Sequence, residues 1–302
     1  MFLTIAICTF NRADFLIECV KSIEPQLENH DDVELVIINN NSNDDTENIS
    51  KNFQKENDKV KYYFCKEQGL SHARNCALDN STAQWLAFID DDAYASNDWL
   101  ENLLRLIHEN SYDAFGGVYH PWFKDGKKSW FLESYESNAS WVRVKDEGRL
   151  KEGYFSGGNS AFKTEWLRDI GGFRSNLGMT GNKVSYGEET HIQRVMALKG
   201  AKLGFSHRLV IYHYTPLKKQ SIRWRWKRNY ISGKLFWDIF EKNRNKKNLK
   251  TRVSNEFNRS IDRSIAALKK LHKKNGIKQA TYELGCWFII IGVIHGFFTS
   301  ND

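Results

Sequence analysis

The stretch Trp85-Leu86-Ala87-Phe88-Ile89-Asp90-Asp91-Asp92 runs five apolar residues directly into three carboxylates. An unbroken apolar run of this length reads as a strand covered on both faces, which belongs to a parallel sheet flanked by helices. In open α/β sheets ligands bind beyond the carboxyl ends of such strands, so the three aspartates are delivered to a ligand-binding position. Neighbouring carboxylates repel one another unless a positive charge neutralises them, and hard oxygen donors suit Mg2+ or Mn2+. The plainer alternative is an acidic turn leading into a helix over residues 97–108.

On the amino-terminal side, strand-like runs at residues 2–8, 33–38 and 60–65 alternate with helical patterns at 15–27, 45–53 and 70–78. Alternation of this kind predicts βαβ units and a mostly parallel sheet. Between residues 115 and 214 the pattern loosens into glycine-bearing loops, aromatic patches and short strands at 203–205 and 209–212, read as the acceptor side of the same domain. After Pro216 the composition turns basic, aromatic and helical, dividing the chain into 1–215 and 216–302. Residues 242–250 read as a flexible linker. The apolar run 284–298 is shorter than the ~20 residues of a membrane span and contains His295, which predicts a buried or membrane-surface helix.

The 302 residues and 41% hydrophobic content suffice for a large core and exclude a disordered chain. A formal net charge of +7 points to an anionic partner: nucleotide phosphates, nucleic acid or an acidic membrane face. Five cysteines without a C-x-x-C pair argue against a disulfide framework or a thiolate zinc site, and the amino terminus lacks the features of a signal peptide; the expected setting is the cytoplasm.

Four further segments recur in order around the aspartates. They are Cys8-Thr9-Phe10-Asn11-Arg12, Asn39-Asn40-Asn41-Ser42-Asn43-Asp44-Asp45-Thr46, Gly69-Leu70-Ser71-His72-Ala73-Arg74-Asn75 and Gly187-Glu188-Glu189-Thr190. Together, over about residues 1–215, they resemble the family 2 glycosyltransferases of the GT-A fold. The resemblance implies a Rossmann-like α/β domain with a C-terminal helical extension, and an inverting, Mn2+- or Mg2+-dependent transfer. The sugar would pass from a nucleotide-diphosphate donor to a hydroxyl of a saccharide or lipid-linked acceptor. Asp92 would ligate the metal, Asp90 would share it or face the ribose, and His213 would complete the set. Donor contacts would come from Thr9, Phe10, Asn11, Arg12, Asn39, Asn41, Arg74, Asp90, Asp91, Gly158, Asn159 and Arg223.

Glu189 maps onto the family's base, with Glu188 the alternative because glutamate reaches one methylene farther than the usual aspartate. Asn39 stands where the family usually has an aspartate, which leaves the donor base open. Gly157-Gly158-Asn159 resembles a loop whose missing side chains let backbone approach the donor. Trp99, Trp122 and Trp130 are candidates for stacking on sugars, and Arg223 or Arg228 for meeting the diphosphate. Cations among tryptophans and tyrosines after Pro216 suit an anionic leaflet, placing the chain peripherally at the inner face of the membrane. Two rival readings are a nucleic-acid-binding protein using residues 218–250 and a metal-dependent nucleotidyltransferase; the resemblance implies no nucleic-acid partner.

Overall fold

The structure, a computed structural model, describes residues 1–109, 112–140, 144–151, 154–181, 185–240 and 244–299. The chain forms two compact units. The first comprises Met1–Trp122, Glu136–Lys183 and Glu188–Tyr214; the second comprises Phe123–Tyr135, Val184–Gly187 and Thr215–Asp302.

The first unit opens with strands β1 (Leu3–Thr9), β2 (Val33–Asn39), β3 (Val60–Phe64) and β4 (Trp85–Asp90), with helices α1 (Ala13–Ile23), α2 (Thr46–Glu56) and α3 (Leu70–Asn80) between them. These four strands are parallel, in the order β3-β2-β1-β4. Alternation along β1 explains the layering. Leu3, Ile5 and Ile7 join a core that includes Leu16 and Val20 of α1, whereas Ala6 turns to the opposite face and the Ala73 and Ala77 side of α3.

Beyond β4 the sheet becomes mixed. Among the described residues it continues through β5 (Ala93–Ala95), helix α4 (Trp99–Glu109), β6 (Ala114–Trp122), β7 (Glu147–Arg149), β8 (Asn159–Lys163), helices α5 (Thr164–Ile170) and α6 (Glu188–Leu198), and β9 (Leu203–Tyr214). Strand β8 pairs antiparallel with β4 and β6, and β9 runs parallel to β6 and antiparallel to β5 and β7. The two short strands expected at 203–205 and 209–212 are one twelve-residue strand. Its register on β6 jumps between Gly117 and Val118, where Ser206 and then Val210 are the partners. The residues passed over interrupt the period-two pattern that a single strand would show in sequence.

The second unit contains α7 (Ile222–Lys234), α8 (Phe236–Phe240), α9 (Lys246–Leu268), α10 (Gly276–Leu284) and α11 (Trp287–Thr299). Helix α7 begins on Ser221, whose hydroxyl accepts the Trp224 N–H at 3.2 Å. Trp130 and Phe131 pack on Tyr282, so Phe123–Tyr135 groups with the C-terminal helices although it lies far upstream of Pro216. Helices α7 and α11 meet backbone to backbone: a Cβ on Gly233 would stand 2.1 Å from the Ile289 carbonyl oxygen, and one on Gly292 2.1 Å from that of Tyr230. Residues 246–250, read from sequence as linker, form the first turn of α9, while 242 and 243 lie outside the described residues.

The apolar run 284–298 belongs to a longer helical stretch, Gly276–Thr299, whose 24 residues are long and apolar enough to cross a membrane by length and composition. Sequence alone gave a shorter run because Lys278 and Glu283 interrupt its amino-terminal half.

Candidate active site and metal centre

Register brings the motifs together. Thr9 pairs with Asn39, and Cys8 with Asp90, so the carboxyl ends of β1, β2 and β4 lie level. The loops that follow are tied to each other: Ser42 Oγ accepts the Asn11 N–H at 2.9 Å, Asn11 Oδ1 accepts that of Asn43 at 2.7 Å, and Asp44 accepts that of Ala13 at 3.0 Å. Asn11 and Asn41 hold φ of +52° and +62°, a region in which asparagine is among the few tolerated side-chain-bearing residues. Asn39 is buried; its amide oxygen accepts the Ser42 N–H at 2.9 Å and its Nδ2 donates to the Tyr62 hydroxyl at 3.2 Å. Phe10 is half-buried at the end of the same loop.

The last residues of β9 reach the same edge. Ala93 pairs with His213, and the Tyr214 N–H donates to the Asp92 carbonyl at 2.8 Å. His213 Nε2 consequently lies 3.2 Å from Asp92 Oδ1 and 3.5 Å from Asp90 Oδ2. One donor atom from each of the three residues falls within 4.8 Å of the others. Ligands about 2.1 Å from an ion and at right angles stand about 3 Å apart, so two carboxylates and an imidazole at these separations can hold a divalent cation of the Mg2+ or Mn2+ class.

Asp91 points elsewhere. Arg12 Nη1 bridges it and Asp92 at 2.8 and 2.9 Å, neutralising the repulsion inherent in the triplet. Burial tends to raise Asp90, but the His213 hydrogen bond and the charges of His213, Arg74 and Arg12 outweigh it and hold the group at about 2. Burial, together with Asp92, lifts Asp91 to about 6 against the pull of Arg12.

Arg74 is almost wholly buried and paired within the protein. Its Nη1 donates to Glu188 Oε1 at 2.8 Å, with the two side chains 4% and 5% exposed, and its Nη2 is 3.8 Å from Asp90 Oδ1. The guanidinium also lies over the Phe88 and Phe173 rings, 5.4 and 5.5 Å from their centroids. A fork held this way is committed within the protein, where it fixes Glu188 at the start of α6 and links it to Asp90. Glu189, the next residue, is half-buried and accepts from the Thr190 hydroxyl at 3.3 Å. Burial and the Glu188 carboxylate push Glu189 up to about 8, against the pull of Arg74.

The Gly157-Gly158-Asn159 loop makes room for the protein itself. A Cβ on Gly158 would stand 1.9 Å from Asp90 Oδ2, and one on Gly157 would stand 2.7 Å from the Arg74 guanidinium. Asn159 is fully buried, its Nδ2 donating to the Val118 and Leu209 carbonyls and its Oδ1 accepting the Trp99 indole N–H, each at 2.9 Å. Asn159 and Trp99 thereby brace the interior of the first unit. Trp130 is core in the second unit, and Arg223 is exposed on α7 of that unit. Sequence reading took Trp122 alone and missed its neighbours: Phe15, Tyr94 and Tyr214 surround it, with Phe15 and Tyr214 centroids 4.5 Å apart and Tyr94 and Trp122 5.2 Å apart. All four rings are half-buried; Tyr94, Trp122 and Tyr214 lie beside His213 in sequence or sheet register, and Phe15 joins them from α1. The visible signal was aromatic residues in β5, β6 and β9, meaningful only once the pairing of these strands was known.

An α/β sheet that carries an Asp-Asp-His donor set on its strand tips, with an acidic helix start joined to it through a buried arginine, is a GT-A architecture. The chain belongs to glycosyl transferase family 2, whose model matches residues 4–171. It is 30% identical over 175 residues to the succinoglycan biosynthesis protein ExoM of Rhizobium meliloti, covering 58% of this chain and 54% of that protein. It is 32% identical over 116 residues to the GalNAc(5)-diNAcBac-PP-undecaprenol beta-1,3-glucosyltransferase of Campylobacter jejuni, covering 38% and 37%. The chain thus spans about half or less of the length of these two curated relatives. Among solved structures, a mannosyltransferase from Pyrobaculum calidifontis in complex with GDP-Man and Mn2+ superposes with a TM-score of 0.65 at 17% identity, over 97% of this chain and 86% of that one. At that identity the likeness establishes the fold.

Proposed function

We propose that the chain is an inverting glycosyltransferase that moves a sugar from a nucleotide-diphosphate donor to a hydroxyl of a saccharide or lipid-linked acceptor. The observation that carries the reading is the convergence of Asp90, Asp92 and His213 within 4.8 Å, with Arg74 joining Asp90 to the Glu188-Glu189 pair. A divalent cation held by Asp90, Asp92 and His213 would supply Lewis-acid stabilisation of the departing diphosphate. The protein's own groups account for the rest. Arg12 fixes the orientation of Asp91 and Asp92, and the polar loops after β1 and β2 offer amides and hydroxyls to the nucleoside.

Glu189 takes the proton from the acceptor hydroxyl as its oxygen bonds to the anomeric carbon and the carbon–oxygen bond to the diphosphate breaks. The nucleoside diphosphate leaves with that electron pair, and the single displacement inverts the configuration. A carboxylate raised to about 8 is a stronger base than an exposed glutamate, which suits the task. Glu188, tied up by Arg74, acts as the positioning residue. The half-buried rings around Trp122 support a saccharide acceptor, since sugar faces stack on aromatic side chains. A lipid-linked acceptor agrees with the undecaprenol-linked substrate in the Campylobacter relative's name and supports action in the cytoplasm at a membrane's inner face.

Incubation with a panel of nucleotide sugars, Mn2+ and candidate acceptors tests the reading. Release of a nucleoside diphosphate, with a product of inverted anomeric configuration by NMR, is the expected result. Release of pyrophosphate would identify a nucleotidyltransferase, and a retained anomer would remove the single displacement.

A further inference from the structure

The charge of this chain is sharply divided. Residues 215–299 hold twenty Lys and Arg against five Asp and Glu, a net +15, so the remainder of the chain is net −8 although the whole is +7. Exposed apolar side chains are divided in the same way. Of the fourteen large hydrophobic residues exposed among the described residues, ten lie between Phe257 and Phe298.

On α9 the apolar residues form a stripe. Phe257, Ile261, Ile265 and Leu268 are 47%, 37%, 50% and 57% exposed, and their spacing of four, four and three places them on one helical face. Three of them each follow a buried position, Glu256, Ser260 or Ala267, so the stripe flanks the face that packs inward. The same helical face carries Lys246 and Lys250, about three and two turns before Phe257, both exposed. Ile294 and Phe298 repeat the arrangement on α11, whose other side is occupied by α7 through Gly292 and Gly296.

Two aromatic residues of α7 are engaged within the unit: Trp226 stacks on Phe288 with centroids 4.9 Å apart, and the Tyr230 hydroxyl hydrogen-bonds His295.

We infer that the α9 stripe, with the lysines on its face, is a docking surface for an anionic lipid bilayer, Phe257, Ile261, Ile265 and Leu268 entering the interface while Lys246 and Lys250 meet the headgroups. Charge complementarity selects the occupant, because cations at an anionic leaflet are attracted while aliphatic side chains are buried below them. Single-stranded nucleic acid needs exposed aromatic planes, and this stripe is mostly aliphatic. The inference rests on the reading of the chain as acting at a membrane face and names the surface that meets it.

Flotation of the full chain with phosphatidylcholine vesicles, with and without phosphatidylglycerol, is the test. Binding should require phosphatidylglycerol, weaken with salt, and fall at least tenfold in Ile265→Asp/Leu268→Asp. Lys250→Ala should weaken it about fivefold, the equivalent of about 1 kcal/mol per charge. Absence of flotation, or wild-type binding by Ile265→Asp/Leu268→Asp, would overturn the proposal. So would a dimer that this variant dissociates, which would assign the stripe to a second copy, or resistance to carbonate extraction, which would assign Gly276–Thr299 to a span. Nucleoside-diphosphate and Mn2+ binding should be unchanged in the variant; their absence in the wild type would instead remove the glycosyltransferase reading.

Discussion

Replacing Arg74 by Met keeps most of the side chain's volume while withdrawing its charge from a site where it is 4% exposed and 2.8 Å from Glu188 Oε1. The Glu188 carboxylate, 5% exposed, would remain buried without its counter-charge. Breaking one partner of such a pair costs about 3–5 kcal/mol, whereas replacing both with apolar groups is close to neutral. With a denaturation slope of about 2–3 kcal/mol per molar urea, Arg74→Met should lower the unfolding midpoint of the first unit by about 1–2.5 M. Arg74→Met/Glu188→Leu should recover most of that loss. Urea unfolding of wild type, both single variants and the double variant, with nucleoside-diphosphate affinity measured alongside, forms the cycle. An Arg74→Met protein of wild-type stability but weakened nucleotide binding would refute the reasoning, because it would mean that the guanidinium grips the donor and leaves Glu188 to fend for itself.

Glu189→Gln should bind the donor as the wild type does and lose about 10²–10⁴ in turnover, the range expected for a general base; full activity in single-turnover assays would transfer the role to Glu188. Because burial and Glu188 raise Glu189 to about 8 and the base must be deprotonated, kcat/KM should climb with pH from 6 and level above about 8. A profile that is flat or falling over that range would contradict the assignment. Gly158→Ala, whose Cβ would stand 1.9 Å from Asp90 Oδ2, should displace that carboxylate and weaken Mn2+ binding about 10–100-fold, as changes behind a metal ligand do. Unchanged affinity by calorimetry would show that Asp90 is not a ligand.

The parallel half of the sheet was legible because apolar runs such as Val33–Asn39 and Trp85–Asp90 carry their own periodicity, and the turns between them carry their own chemistry. The aspartate triplet announced itself for the same reason. What sequence could not convey was pairing between distant segments. Arg74 read only as a donor contact because its burial against Glu188, 114 residues away, is not visible in sequence. The bracing role of Asn159 was invisible because the carbonyls of Val118 and Leu209 that accept from its amide come from two other strands. Strand β9 read as two strands because a register shift breaks its alternation. Phe123–Tyr135 read as part of the catalytic domain because its partner, Tyr282, lies at the other end of the chain.

The central claim is that Asp90, Asp92 and His213 hold a divalent cation that serves a nucleotide diphosphate. Electron paramagnetic resonance titration of Mn2+ with and without nucleoside diphosphate, on wild type and Asp92→Ala, tests it most directly. The account predicts a tightly bound Mn2+ in the wild type whose affinity rises with the nucleotide and disappears in Asp92→Ala. Equal Mn2+ and nucleotide binding by the two proteins would contradict it.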